Sequence, residues 1–186
     1  FATLPSAHGA SFDGIYIEAQ YLLAPVLPND LSYNMTVMTH EMGHYLGMFH
    51  TFGLCTPNPV LTNQSCSCDN NNCLFNGDMV CDTPPDFSTL PTASCTTPTN
   101  TCHTDVATIG DNLNLTADVN DLINNYMDYG DWNCQYAFTV GQRKRMHFMI
   151  DKNIGPRNSL LNSNVCNPLC VNNTCTVSIV SPTATV

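Results

Sequence analysis

The spacing of apolar residues predicts a strand and a helix near the start of the chain. The segment 12–23, FDGIYIEAQYLL, contains an Asp-Gly turn signal followed by β-branched and aromatic residues, which predict a strand. The segment 25–33 is predicted to be a loop. From Thr36 to Leu46 apolar residues recur at helical spacing. Gly47 follows as a stop signal, because glycine readily adopts the left-handed conformation that ends helices.

A second helix is predicted from Thr139 to Asp151, because Thr139 and Gln142 have the spacing of a capping box. The residues from Phe52 to about Val119 are rich in Pro, Asn and Cys and show no long periodicity, and a short helix is predicted at 118–124. So long an irregular segment is usually functional, or fixed by disulfides and ions. After Leu161, three more cysteines and a Ser/Thr/Pro-rich end indicate a linker or the start of another module.

Composition restricts the class of partner. The 186-residue chain is 43% hydrophobic, enough for a folded core, and has a formal net charge of −10. All of its basic residues lie between Arg143 and Arg157, so the acidic excess falls on the residues before them. Such a chain is a poor partner for nucleic acid, and no apolar run is as long as a membrane span. The acidity fits a soluble surface, cation binding, or both.

Cysteine usage indicates an oxidising compartment. The chain has 11 cysteines, and N-x-[ST] glycosylation patterns occur at Asn34, Asn63, Asn114 and Asn172. This combination is typical of secreted proteins, so we predict disulfides. A structural zinc knot around Cys66 and Cys68 is the alternative use of the same residue types. The odd number of cysteines and the start inside a predicted strand fit a piece of a longer secreted precursor.

The segment THEMGHYLGMFHT, residues 39–51, carries the chemistry on which the functional prediction depends. His40 and His44 are four residues apart on the predicted helix, so both imidazoles leave the same face. Rings on successive turns can share one zinc ion, which takes imidazole nitrogen at about 2.0–2.1 Å. Glu41 projects beside that face, where it can hold and deprotonate a water without being a metal ligand.

Gly47 allows the chain to turn back after the helix, which brings His50 to the same metal. Three histidine ligands leave the fourth position of a tetrahedral zinc open for water, as in catalytic sites. Histidines that only satisfy buried hydrogen bonds are the alternative, but the full string H-E-x-x-H-x-x-G-x-x-H rarely occurs by chance. The sequence therefore predicts a hydrolytic zinc centre.

The same string resembles the signature of the metzincin metallopeptidases. In this resemblance NYMDY, residues 125–129, supplies the Met-turn. Met127 would be an apolar floor beneath the histidines, and Tyr129 would donate to the oxyanion. Ordinary core packing is the alternative for both. The order HTF, GDMVCDTPP, NYMDY and FTVGQRKRM, between Phe12 and Leu161, resembles the pappalysin family, which includes ulilysin-like proteases and secreted fungal relatives.

The resemblance implies an α+β fold, with a metzincin-like zinc protease domain, an irregular disulfide-rich lower subdomain and a C-terminal helix. We expect residues 1–161 to form the catalytic domain, with the N-terminal part of its upper subdomain missing. Residues 162–186 would be a cysteine-containing tail and linker. The implied function is a secreted zinc endopeptidase that acts on protein or peptide substrates, with Glu41 as general base. The alternative is a proteolytically silent, zinc-containing binding module, and the intact base argues against it. The oligomeric state is not predicted.

The resemblance also implies calcium at Asp78, Asp82 and Thr83, whose hard oxygen ligands suit that ion. A plain turn rich in aspartate is the alternative.

For the cysteines, the resemblance pairs Cys102 with Cys134. Cys95 would then join one of Cys55, Cys66, Cys68 or Cys73.

The resemblance to the pappalysins also implies that substrate specificity depends on the residues just after Tyr129. Asp131 would favour a basic residue after the scissile bond, because a carboxylate pairs well with a guanidinium. Trp132 at that position would favour an apolar or stacked side chain instead. Both residues are also consistent with an exposed turn.

Overall fold

The computed structural model describes residues 1–18, 31–53, 73–74, 77–86, 95, 97, 99–102, 115, 117–130, 132–162, 170–171 and 174–175. These ranges contain helix α1 (Leu31–Tyr45), helix α2 (Val140–Ile150) and short 3-10 helices at Pro5–Ala7, Trp132–Cys134 and Asn158–Asn162. Strands β1 (Cys170–Val171) and β2 (Thr174–Cys175) pair antiparallel, with Cys170 opposite Cys175. No helix in the described ranges is long and apolar enough to cross a membrane.

The first residues of the chain form a short antiparallel pairing rather than the predicted strand. Ala2 bridges Ile15, and the backbone N–H of Tyr16 donates to the carbonyl of Phe1 at 2.8 Å. The strand prediction is wrong for the start of segment 12–23. There the Asp13 carboxylate accepts hydrogen bonds from Thr3 Oγ1 and from a nearby backbone N–H, and so fixes a turn. Residues 19–23 lie outside the described ranges.

Helix α1 begins at Leu31, earlier than the predicted start at Thr36, so the loop prediction is wrong for residues 31–33. No proline follows Pro28 before the helix, and the backbone is free to start it there. The C-terminal end is as predicted. Gly47 has a φ of 85°. Its N–H donates to the His44 carbonyl, and the next N–H donates to the Gly43 carbonyl, both at 2.9 Å. This Schellman motif turns the chain towards His50.

Helix α2 has the predicted capping box. Thr139 Oγ1 accepts from the Gln142 N–H, and Gln142 Oε1 accepts from the Thr139 N–H at 2.9 Å. The buried Gln142 amide also pairs with the Asn125 side chain, at 2.8 and 3.2 Å, which ties α2 to the NYMDY segment. The short helix predicted at 118–124 does not form, because the Asp121 carboxylate instead accepts the Thr101 N–H at 3.0 Å.

The disulfides correct two predicted pairings, that of Cys134 and that of Cys95. Cys134 pairs with Cys95, whose Cα lies 5.1 Å away, and not with Cys102. Cys102 is buried and disulfide-bonded elsewhere. Cys73, one of the partners predicted for Cys95, pairs with Cys81. The path of the irregular segment decides which Cα atoms come within bonding range, and spacing along the chain does not reveal that path. Cys55, Cys66 and Cys68 lie outside the described residues.

A buried arginine fastens the N-terminal segment to the end of α1. Arg157 is fully buried, and its Nη1 donates to both oxygens of Asp13, at 2.9 and 3.0 Å. Its Nε donates to the Tyr45 carbonyl, and its guanidinium carbon lies 3.5 Å from the centre of the Tyr45 ring. This hydrogen bonding holds the pKa of Asp13 well below its usual range. Arg157 thereby joins residues far apart in sequence and holds the C-terminal end of α1.

Candidate metal centre

The structure brings the three histidines of the predicted zinc motif together. Nε2 of His44 lies 3.1 Å from Nε2 of His40 and 3.1 Å from Nε2 of His50. Helix α1 carries the first two, and the turn at Gly47 returns the third. The ligand atoms lie within 4.8 Å of one another, a group that can hold one metal ion.

Backbone carbonyls fix which imidazole nitrogen faces the metal position. Nδ1 of His40 lies 2.5 Å from the Tyr126 carbonyl oxygen, and Nδ1 of His44 lies 2.8 Å from the Met48 carbonyl oxygen. A carbonyl oxygen only accepts, so each Nδ1 carries the hydrogen and each Nε2 keeps a lone pair. Ligating histidines in metal sites are commonly oriented in this way.

Burial keeps the three imidazoles neutral. Burial, and then the neighbouring His44, lowers the pKa of His40 to about 4. Burial also lowers the pKa of His44 and of His50. A neutral ring is the form that binds a metal ion, so the ligand set is ready at neutral pH.

Met127 packs against helix α1, which carries His40 and His44. Its side chain is fully buried, and its sulfur lies 2.4 Å from where a Cβ on Gly43 would be. Asn125 Oδ1 accepts the Met127 N–H at 2.9 Å, and the Met127 carbonyl accepts the Thr51 N–H at 3.1 Å. Gly43 was missed by the sequence analysis. The available signal was a glycine inside a helical pattern, which costs about 1 kcal/mol relative to alanine and therefore indicates a packing constraint.

Glu41 lies beside the histidine group. One carboxylate oxygen is 3.3 Å from the Phe1 ammonium, and the other is buried without a hydrogen-bond partner. Burial lowers the pKa of His44, and the Glu41 charge opposes that fall. Burial, and then the Glu41 charge, raises the pKa of Tyr129, so Glu41 interacts electrostatically with both residues. Apolar side chains, including Ile15, line the adjoining cavity of about 580 Å³.

Two aromatic side chains border the histidines. The Tyr129 ring centre lies 4.4 Å from that of His50, and the Trp132 ring meets His40 edge-on at 5.7 Å. Burial, and then the Glu41 charge, raises the pKa of Tyr129, so its hydroxyl keeps the proton. Trp132 opens the short 3-10 helix that the disulfide at Cys134 anchors. Asp131 lies outside the described residues.

The predicted calcium residues share one turn but have other partners. Asp82 accepts from Thr139 Oγ1 and from the Gly141 N–H, both at 2.7 Å, and so caps helix α2. Thr83 Oγ1 donates to Asp78 Oδ1 at 2.8 Å. Burial raises the pKa of Asp78 to about 7, and its Oδ2 is buried without a partner. Calcium at this turn stays a prediction.

Arg145 links the turn around Met79 to the C-terminal end of helix α1. Its Nε donates to the Gly47 carbonyl at 2.9 Å, and its Nη1 donates to the Met79 carbonyl at 3.1 Å. Met79 has a φ of 60°, which a residue with a Cβ rarely adopts. The arginine therefore holds the helix end and the strained turn together, a role that its position in the sequence does not reveal.

Comparison with known proteins identifies the family. Residues 2–151 match the Peptidase_M43 family, described as pregnancy-associated plasma protein-A. The chain belongs to this family. The predicted resemblance to the pappalysins is thereby confirmed, and the match includes the histidines, Glu41 and the Met127 turn.

Fungal proteins are among the relatives of this chain. It is 32% identical over 150 residues to an extracellular metalloprotease of Colletotrichum graminicola, covering 79% of this chain and 43% of the relative. It is 34% identical over 111 residues to extracellular metalloprotease 1 of Coccidioides posadasii, covering 60% of this chain and 29% of the relative. The chain thus spans less than half the length of these relatives.

Among solved structures, the chain resembles Tannerella forsythia mature mirolysin in complex with a cleaved peptide. The TM-score is 0.56 at 24% identity, and the match covers 86% of this chain and 50% of mirolysin. At this sequence identity, the similarity is evidence for the fold alone. Together with the family match, it confirms the predicted metzincin-like fold class.

Proposed function

We propose that this protein is a secreted zinc-dependent endopeptidase that hydrolyses peptide bonds in protein or peptide substrates. The observation that carries the proposal is the convergence of the His40, His44 and His50 lone pairs beside a buried, unpartnered oxygen of Glu41. A silent binding module, the alternative, has no need of a carboxylate beside the metal position. The names of the fungal relatives, extracellular metalloproteases, support secretion and peptidase activity.

The donor set fits zinc. Three neutral imidazoles offer Nε2 lone pairs, two of them fixed by backbone carbonyls, and no thiolate belongs to the group. Three nitrogen ligands leave a fourth position open in tetrahedral zinc. When bound there, zinc polarises the scissile carbonyl and lowers the pKa of a water molecule.

Glu41 is the proposed general base. Glu41 directly follows His40 on α1, and one of its carboxylate oxygens is buried without a hydrogen-bond partner, so that oxygen is available to take the proton from the attacking water. The carboxyl group formed in this way can then give the proton to the leaving amine, so the base is regenerated in each turnover.

Tyr129 is the proposed oxyanion donor. Its ring lies against His50, and its raised pKa keeps the hydroxyl protonated. A hydroxyl in this position can donate to the oxygen of the scissile carbonyl as negative charge develops there.

A calcium site and the residues that determine substrate specificity are also part of the proposal. The unpartnered Oδ2 of Asp78 supports a cation at the turn with Asp82 and Thr83, although the described oxygens of those two residues already have partners. The contact of Trp132 with His40 supports an apolar or stacked residue beside the scissile bond. A basic preference through Asp131 is the other proposal.

Alanine substitution of each histidine tests the function. Zinc content and cleavage of a casein-type substrate are measured for His40→Ala, His44→Ala and His50→Ala. The control is His147→Ala, because His147 is exposed on α2. The three site variants should lose stoichiometric zinc and cleavage together, and the control should keep both. Stoichiometric zinc in all three site variants would contradict the assignment.

A further inference from the structure

Three buried carboxyl groups, one of them in the Met127 turn itself, have no role in the proposed catalytic machinery. Asp86, Asp121 and Asp128 are all buried. Among the ion pairs between described residues, none includes any of the three. Buried carboxylates without a cationic partner require another form of neutralisation, because an isolated charge is costly in the protein interior.

The Asp86 carboxyl group is hydrogen-bonded to the segment that follows the third histidine. Its Oδ2 accepts from Thr51 Oγ1 at 2.9 Å, and its Oδ1 accepts from Thr101 Oγ1 at 3.2 Å. Thr51 directly follows His50 in the chain. The position of the Asp86 carboxyl group therefore bears on the backbone that carries a proposed metal ligand.

The Asp128 carboxyl group is hydrogen-bonded to the backbone of Tyr129, the proposed oxyanion donor. Its Oδ1 accepts the Tyr129 N–H at 2.7 Å. Its Oδ2 is buried and accepts none of the hydrogen bonds found between described residues. The Asp86 carboxyl group and the Gly130 N–H both interact with the Asp128 carboxyl group. A proton held by Asp86 supplies a donor to Asp128 that two ionised carboxylates would lack.

The electrostatics agree with one proton between the two groups. Burial, and then the charges of Asp128 and Asp121, raises the pKa of Asp86. Burial, with a smaller effect of the Asp121 charge, also raises the pKa of Asp128. Hydrogen bonds from the Tyr129 N–H, from Asp86 and from the Gly130 N–H oppose that rise. Asp86 is thus the acid of the pair and Asp128 the acceptor. Asp121 is the third charged group facing them, and its carboxylate accepts the Thr101 N–H.

We propose that Asp86 and Asp128 are positioning residues that share one proton, and that this pair sets the placement of His50 relative to Tyr129. The pair links Thr51 on one side to the Tyr129 backbone on the other. It thereby holds a metal ligand and the oxyanion donor in one geometry. The effect on catalysis rests on the proposed function, whereas the shared proton itself does not.

A divalent cation is the competing means of neutralisation. The three carboxylates are not among the groups of described residues that can hold a metal ion, and the one such group is the histidine cluster. Both Asp121 oxygens lie within 3.3 Å of the Thr101 N–H. The observations therefore favour the proton.

The first test compares the melting of zinc-loaded wild type, Asp86→Asn and Asp118→Asn from pH 5 to pH 9. Wild-type Asp86 keeps its proton on folding at pH values where the unfolded chain has lost it, so its contribution to stability falls as pH rises. An amide has no proton to lose and still donates. The melting temperature of Asp86→Asn minus that of wild type should rise across this range, by on the order of 5 °C. Asp118 is exposed, and its variant should show a constant difference.

Two outcomes of this test overturn the shared proton. One is a difference between Asp86→Asn and wild type that does not change with pH, or an Asp86→Asn protein that fails to fold. The other is a rise in wild-type melting temperature with added calcium that Asp86→Asn lacks, because a cation would then occupy the pair. The Asp86→Asn change places an asparagine two residues before Ser88, so all proteins are produced in a host without N-glycosylation.

The second test measures the positioning role by steady-state kinetics near pH 7. Asp86→Ala, which removes the carboxyl group, should lower kcat by about 10- to 100-fold, since small displacements of catalytic groups have effects of that size. KM should change little, and Asp86→Asn should restore most of the lost kcat. Equal kcat in Asp86→Ala and wild type, or no recovery in Asp86→Asn, overturns the positioning role. If wild type cleaves nothing, the proposed function fails, and the melting test still decides on the proton.

Discussion

The sulfur of Met127 lies 2.4 Å from the position that a Cβ on Gly43 would occupy. Gly43 precedes His44 on α1, so the turn beneath the metal position packs against helix backbone between two ligands. The next nearest atoms to that position are the Met127 methyl carbon at 3.4 Å and a Phe138 ring carbon at 3.5 Å. The absence of a side chain at Gly43 is therefore what allows the turn to approach the helix.

Gly43→Ala should destabilise the protein by about 1–3 kcal/mol, the usual range for overpacking a filled core. In an exposed helix the same change would stabilise by about 1 kcal/mol, so the sign distinguishes packing from helix propensity. Chemical denaturation of the zinc-loaded protein measures the difference. Gly14→Ala is the control, because no heavy atom lies within 4 Å of the added Cβ. A Gly43→Ala protein as stable as wild type would show that the turn moves away without cost.

Much of the site is local in sequence, which explains why it can be predicted. His40 and His44 share one helix, and a single glycine conformation returns His50, so helical spacing and one turn suffice. The capping box of α2 is equally local. These features need no knowledge of how distant segments meet.

Other features depend on contacts between distant segments. The pairing of Cys134 with Cys95 rather than Cys102 depends on the path of an irregular segment. Asp82, a predicted calcium ligand, also caps a helix that starts 58 residues later (140 − 82), and the sequence does not reveal that contact. The residues 12–14 contain a turn because Asp13 meets Arg157, a partner near the other end of the described chain. Periodicity carries no information about such partners.

Acid should weaken the link between Asp13 and Arg157. Because Arg157 lowers the pKa of Asp13, the stability from this pair is fully present above the unfolded value near pH 4. It is lost as pH falls through the lower folded value. Asp13→Ala leaves a buried cation unpaired and should lower the melting temperature at pH 7 by on the order of 5–10 °C. Melting curves from pH 7 to pH 2 should show this difference shrinking below pH 4. A difference that persists unchanged at pH 2 would argue against the ion pair.

Tyr129→Phe should lower kcat by about 10²- to 10³-fold, as expected for the loss of one oxyanion donor. Zinc content and KM should stay close to wild type, since the ring still packs against His50. Tyr136→Phe is the matched control, because Tyr136 is 70% exposed and the same hydroxyl is removed. Equal kcat values for the two variants would remove Tyr129 from the reaction.

The most direct measurement compares peptide hydrolysis by zinc-loaded wild type and Glu41→Gln at equal zinc content. The amide keeps the shape of the side chain but cannot take a proton, so kcat should fall by about 10²- to 10⁴-fold, with zinc content and melting temperature little changed. Asp118→Asn is the control, because it is also a carboxylate-to-amide change and Asp118 is exposed, and its kcat should match wild type. Comparable turnover by Glu41→Gln and wild type would contradict the assignment of Glu41 as the base on which the proposed hydrolysis depends.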